Sequence, residues 1–205
     1  MGHIKTKIGC TLLALFGLIW LGTYLQAEWI TAIDELGRRV LFDRIQNDLS
    51  QLFLAIAAVG DIMITAILLG TTTLILWVKD KRISMRLLSV VILSGGVVPQ
   101  VLKYIIARPR PAYALYLRGG YSFPSGHATG ATVFYGMLIA LALIYLKKSW
   151  KRNLFVATAA ILIALISWSR IYLGVHYTSD MIAGLSLGIG QILIWLDFFE
   201  SGKHG

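Results

Sequence analysis

One cysteine, Cys10, in 205 residues excludes an intrachain disulfide, and its place in the first apolar run marks it as a packing residue. Charge is scarce too: Asp, Glu, Lys and Arg make up 14% of the chain, against about 25% in an ordinary soluble domain. With 57% hydrophobic residues and a mean hydropathy of +0.74, this excludes a soluble domain and indicates a polytopic membrane protein. Carboxylates are scarcest of all, and from Lys81 through Ser179 there is no Asp or Glu. The four prolines, Pro99, Pro109, Pro111 and Pro124, fall in one stretch, which predicts a rigid, partly non-helical connection there. Internal repeats and low-complexity segments are absent, so the expectation is one domain over residues 1–205.

What is present is apolar sequence in long runs. A spanning helix needs about 20 mostly apolar residues, and six stretches meet or approach that: roughly 8–25, 53–78, 86–106, 128–146, 153–169 and 179–198. The first follows Lys5 and Lys7 as a signal peptide would, but Leu25 occupies a position where cleavage wants a small side chain, so it is read as a span. The fold class is therefore all-α, a polytopic bundle of six transmembrane helices. Lys5, Lys7, Lys79, Lys81, Arg82, Arg86, Lys147, Lys148, Lys151, Arg152 and Lys203 collect on one side, which predicts cytoplasmic termini. The net charge of +9 is thus a topology signal and calls for no nucleic-acid partner. Between spans one and two, residues 27–50 combine charge with apolar Ile30, Ile33, Val40, Leu41, Ile45 and Leu49 at helical spacing. That pattern predicts an outer amphipathic connector on the membrane surface, with a substrate lid as the alternative. Asp61 falls toward the outer boundary of span two, either pairing with a cation or solvated there.

Ionisable groups beside a membrane span are costly and therefore functional candidates. Lys103, Arg110 and Arg170 are expected at the outer boundary, with Arg108 and Arg118 assigned to headgroup anchoring. Asp180 is the one local carboxylate and cannot neutralise them alone, which implies an anion from outside the chain. Guanidinium forks and a lysine suit a tetrahedral oxyanion. His176 and Asp180 share a helix face if a helix begins there, letting the carboxylate fix the imidazole. Pro124, Ser125 and Gly126 precede span four, where backbone N–H groups and the helix dipole favour anions, and His127 falls in its first turn.

Taken together, Lys103 to Pro111 (KYIIARPRP), Pro124 to His127 (PSGH) and Ser169 to Asp180 (SRIYLGVHYTSD) resemble the three signatures of the type 2 phosphatidic acid phosphatase family, without substitution and in order. The resemblance implies a six-helix membrane lipid phosphatase acting at the outer face of the cytoplasmic membrane. It implies His176 as the nucleophile, Asp180 orienting it, and His127 as the general acid. Lys103, Arg110, Arg170, Ser125 and Gly126 would hold the phosphoryl oxygens. No metal or other cofactor is expected, and the partners are a lipid phosphate and the bilayer, with no protein partner evident. The substrate expectation is phosphatidylglycerophosphate, phosphatidate or a similar lipid. Undecaprenyl pyrophosphate is the alternative, disfavoured by Gly126 where that branch resembles P-S-D-H. Vanadium-dependent haloperoxidases share the pattern but are soluble, and a non-catalytic lipid binder would bind such lipids without turnover.

Overall fold

Short polar side chains set where the apolar runs begin as helices. In the computed structural model, which describes residues 4–43, 49–116 and 119–201, the Asp61 side chain accepts the Met63 N–H and Asp80 accepts those of Arg82 and Ile83. Ser125 accepts the N–H of Ala128, and Ser149 that of Arg152. Each satisfies a donor that a helix N-terminus leaves without an intrahelical partner. Arg118, Arg44 and Asp48, together with terminal His3, Lys203 and His204, lie outside the described residues.

The chain runs as α1 (Ile4–Tyr24), α2 (Glu28–Gly37, continued by a π-helical segment Arg38–Asp43), α3 (Ser50–Val59), α4 (Ile62–Lys79), α5 (Lys81–Val90), α6 (Val98–Ile106), α7 (Gly126–Tyr145), α8 (Trp150–Tyr172) and α9 (Thr178–Ser201). No strand occurs among the described residues. A π-helical stretch, Val91–Val97, joins α5 to α6, so Lys81–Ile106 forms one continuous run. With α1, α4, α7, α8 and α9 it makes six helices long and apolar enough to cross a membrane, as expected. The second span differs from the single helix expected over 53–78. It breaks at Gly60 and Asp61, because the Asp61 carboxylate bonds forward to Met63 and starts a new helix. Asp61 is thus a helix cap.

α7 lies at the centre, against α8, α9 and the Val91–Val97 stretch. Val133, Phe134 and Met137 of α7 meet Leu87, Val90 and Ile166 in the main core. Helices in lipid gain little from hydrophobic burial against each other, and small residues that permit close approach drive their packing. Gly184 and Gly188 serve this purpose between α9 and α7. A methyl at Gly184 would lie 2.9 Å from the Ser125 carbonyl oxygen and 3.0 Å from Thr129 Oγ1. Gly184→Ala should therefore cost about 1–3 kcal/mol by overpacking, seen as a lower thermal midpoint in detergent. Gly130→Ala, where the nearest atom is 3.6 Å away, should not lower it.

α1 packs along α9 and is tied at one end by Lys5 to Glu200 and Thr6 to Asp197. α4 stands apart: Leu69 is its one buried residue, and Ile62 and Val78 are 78% and 83% exposed, as suits side chains facing lipid.

Candidate active site

The last turn of α8 and the first turn of α9 deliver Ser169, Arg170, Ser179 and Asp180, all buried, with His176 in the loop between. Gly174 makes that loop possible at φ 67°. A side chain there would meet the Phe42 ring at 2.9 Å and the Tyr113 carbonyl at 3.0 Å. An apolar cluster of Phe53, Tyr172, Leu173 and Val175 supports the loop, and a second gathers Phe16, Ile30, Phe123 and Ala183 of α9. His176 is 2% exposed. Its Nδ1 lies 3.3 Å from Asp180 Oδ2, and its Nε2 lies 3.2 Å from Arg110 Nη1. A carboxylate at one nitrogen and a guanidinium donor at the other select a single tautomer: Nδ1 carries the proton and Nε2 presents its lone pair.

His176 and Arg110 both border a cavity of about 690 Å³. Lys103, Arg110, Gly126, His127 and His176 line its polar end, and Thr65, Ala66, Leu69, Val91 and Ile92 line the end between α4 and the π-helical stretch. Lys103 donates to the Tyr121 carbonyl at 2.8 Å, and its stem passes over Gly126. Arg110 donates to the carbonyls of Val175 at 2.8 Å and Gly120 at 3.2 Å. His127, 9% exposed, sits in the first turn of α7, with Gly60 at the α3–α4 break directly beside it. Ser125 is fully buried as the α7 cap, and its N–H bonds the Asp180 carbonyl, tying the starts of α7 and α9 together. Arg170 is fully buried, donating to the Tyr116 hydroxyl at 2.8 Å. The eight residues singled out in the sequence therefore converge on one end of the bundle.

Two expectations need correction. Arg108 is no headgroup anchor. Its Nη1 donates to Asp180 Oδ1 at 2.6 Å and to Ser179 Oγ at 2.8 Å, its Nη2 donates to Asp34 Oδ2 at 2.6 Å, and it lies 3.9 Å from the Tyr177 ring centroid. Nor is Asp180 the one local carboxylate. Asp34 reaches in from α2 and accepts the Ser179 N–H at 2.8 Å and hydroxyl at 3.0 Å. The interval without acids is thus supplied in part from a distant segment. Asp34 was detectable in principle, because it shares a face of α2 with Ile30 and Gly37, where a charge is out of place. Removing one partner from a buried charge set of this kind costs about 3–5 kcal/mol.

Burial pushes the His176 imidazole down from 6.5 to about 3, despite the opposing pull of Asp180; Lys103 and Arg110 add to the downward push. Burial alone would lower Arg108 as well, but Asp180 and Asp34 more than offset it, and its net shift is upward. For His176 the unfolded chain binds the proton first on acidification. Stability from this group is therefore complete above about pH 6.5 and falls toward pH 3. Over that window the thermal midpoint of the wild type should fall further than that of His176→Gln. Parallel decreases would show that His176 is not held neutral.

Among the described residues, no three or more His, Cys, Asp or Glu side chains group to hold a metal ion. The model of the PAP2 superfamily matches residues 84–202. Phosphatidylglycerophosphatase B of Bacillus subtilis (strain 168) is 34% identical over 107 residues, covering 51% of this chain and 53% of that protein. An undecaprenyl-diphosphatase of Sulfolobus acidocaldarius is 32% identical over 137 residues, covering 63% and 59%. The matched stretch therefore spans about half the length of these curated relatives. In fold, the chain is similar to the crystal structure of a transmembrane PAP2-type phosphatidylglycerolphosphate phosphatase from Bacillus subtilis, with a TM-score of 0.82, 24% identity, and 94% and 96% of the two chains covered. The structure of Aquifex aeolicus LpxE gives 0.63 at 25% identity over 79% and 93%.

Proposed function

This chain belongs to the PAP2 superfamily, and from that premise we propose that it is a membrane phosphatase for lipid phosphomonoesters or diphosphates, working through a phosphohistidine. The observation that carries the reading is the carboxylate-backed His176 at the cationic end of a cavity whose other end is largely apolar. A lipid phosphate fits such a cavity with its headgroup at Lys103 and Arg110 and its chains between α4 and the Val91–Val97 stretch.

The chemistry follows from the placement of protons. Nε2 of His176 attacks phosphorus, forming the N–P bond as the bond to the lipid oxygen breaks. The ring becomes cationic, and Asp180 stabilises that charge through the Nδ1 proton. His127 gives its proton to the departing oxygen and then takes one from the water that attacks the phosphohistidine, releasing inorganic phosphate and regenerating His176. Lys103, Arg110, Arg170 and the helix N-terminus at Ser125 and Gly126 stabilise the equatorial oxygens, where charge develops. No step needs a metal.

The substrate class suggested by the similarity to phosphatidylglycerophosphatase B is a glycerophospholipid phosphate. The similarity to an undecaprenyl-diphosphatase supports a polyprenyl diphosphate as the second reading. The basic turns at Lys79–Arg82 and Lys147–Arg152 lie at the opposite end of the spans from His176, which supports an outward-facing site under the positive-inside rule. The deciding experiment is phosphate release by the purified protein from phosphatidylglycerophosphate, phosphatidate and undecaprenyl diphosphate, with and without EDTA. Release unaffected by EDTA is expected. Abolition by EDTA would overturn the metal-free mechanism, and the ranking of rates identifies the lipid.

A further inference from the structure

The α2 helix approaches the nucleophile more closely than a connector needs to. Gly37 is pressed so tightly on the start of α9 that a methyl there would lie 1.7 Å from Thr178 Oγ1. One turn earlier, Asp34 holds both the backbone N–H and the hydroxyl of Ser179, the residue preceding Asp180. Arg108 then spans the gap, with one nitrogen on Asp34 and the other on Asp180 Oδ1 and Ser179 Oγ. The second oxygen of Asp180 is occupied by the Tyr177 N–H at 3.0 Å and by His176. Both carboxylate oxygens are therefore fixed, and the carboxylate cannot rotate away from the imidazole without breaking the Arg108 bridge.

We propose that Asp34 and Arg108 are positioning residues for the nucleophile, through which the α2 helix fixes the Asp180 carboxylate and hence the aim of His176 Nε2. The inference rests on His176 being the nucleophile. Asp34 contacts Arg108 and Ser179, and neither it nor Arg108 lines the cavity. Their loss should therefore act on the chemical step and leave phosphate binding alone. Arg108 carries part of the effect of Asp34 and the bonds to Ser179 carry the rest, so the two residues should be coupled.

The test compares wild type with Asp34→Asn, Arg108→Lys, the double variant and Gly37→Ala. The last displaces α2 without removing any charged group. Phosphate release from dioctanoyl phosphatidate gives kcat and KM, and thermal shift gives the affinities for inorganic phosphate and for vanadate. Vanadate becomes five-coordinate through a bond to an aligned imidazole, so its affinity reports the aim of His176 without turnover.

Misplacement of a reacting group by about 1 Å costs on the order of 10²-fold. Each single variant is expected to lose about 10- to 100-fold in kcat and in vanadate affinity, with KM and phosphate affinity unchanged. The double variant should lose less than the product of the two single losses. Lower thermal midpoints with unaltered kcat and vanadate affinity would reduce the network to a structural brace. A change in KM and phosphate affinity would make it part of the phosphate site, and either result overturns the proposal. If Arg108→Lys does not fold, Asp34→Asn and Gly37→Ala decide it by the same readouts. A wild-type protein that neither releases phosphate nor prefers vanadate to phosphate rejects the phosphatase reading itself, and the inference falls with it.

Discussion

His176→Ala is expected to abolish turnover while leaving the phosphate site occupied. The atom removed is Nε2, the proposed lone-pair donor, which lies 3.2 Å from Arg110 Nη1 on a residue that lines the cavity. Lys103, Arg110 and Arg170 remain, so inorganic phosphate should still bind and raise the thermal midpoint. Loss of a nucleophile in enzymes that work through a covalent intermediate costs on the order of 10⁴- to 10⁶-fold in kcat, and a loss of that size is expected here for phosphate release from phosphatidate. The acid-labile phosphoryl group that the wild type should carry after rapid quenching should be absent from the variant. Free imidazole should restore part of the rate, because the space left by the ring opens onto the cavity and Asp180 is still in place to orient the guest. Turnover at the wild-type rate would falsify the assignment of His176.

The spans and the clustering of the candidate site residues were legible in the sequence for different reasons. A bilayer forces every backbone polar group into internal hydrogen bonds, so spans must be long and apolar, and five of the six stand close to where hydropathy puts them. The exception is instructive. Apolar composition runs through residues 53–78 without interruption, but Gly60 and the short Asp61 side chain end one helix and cap the next, and hydropathy averages over both. The Val91–Val97 stretch was equally hidden, since Ser94, Gly95 and Gly96 sit within an apolar run and carry no pattern that marks a wider turn beside the cavity.

The site residues were legible because Lys103, Arg110, His127, Arg170, His176 and Asp180 occur at fixed spacings in three signatures, and the structure brings them to one end of the bundle. Asp34 belongs to none of these. Its partners Arg108 and Ser179 lie 74 and 145 residues away, and no local pattern encodes a contact at that separation. Arg108 was visible, two residues before Arg110, yet two arginines so close in a polar loop cannot be told apart without knowing which one meets a carboxylate. The missing acids between Lys81 and Ser179 are met in part from within the chain, by Asp34 on Arg108 and Ser179.

His127 should reveal its role through the leaving group. An alkoxide leaving phosphorus needs a proton, and a phenolate stabilised by a nitro group does not. His127→Ala should therefore slow the first turnover of phosphatidate by about 10²- to 10⁴-fold, and should barely change the first turnover of p-nitrophenyl phosphate. The two substrates present the same phosphoryl group to the proposed phosphate site, so binding does not explain the contrast. The second half of the reaction adds a further signature. Water attacking the phosphohistidine also needs a base, and His127 is the cavity-lining imidazole left to act as one once His176 carries the phosphoryl group. The variant should therefore release one equivalent of nitrophenolate rapidly and then stall, with the phosphoryl group trapped on His176. A variant slowed equally on both substrates, with no burst, would assign His127 to holding the phosphate, and the proton for the lipid oxygen would then have to come from Lys103 or from water in the cavity.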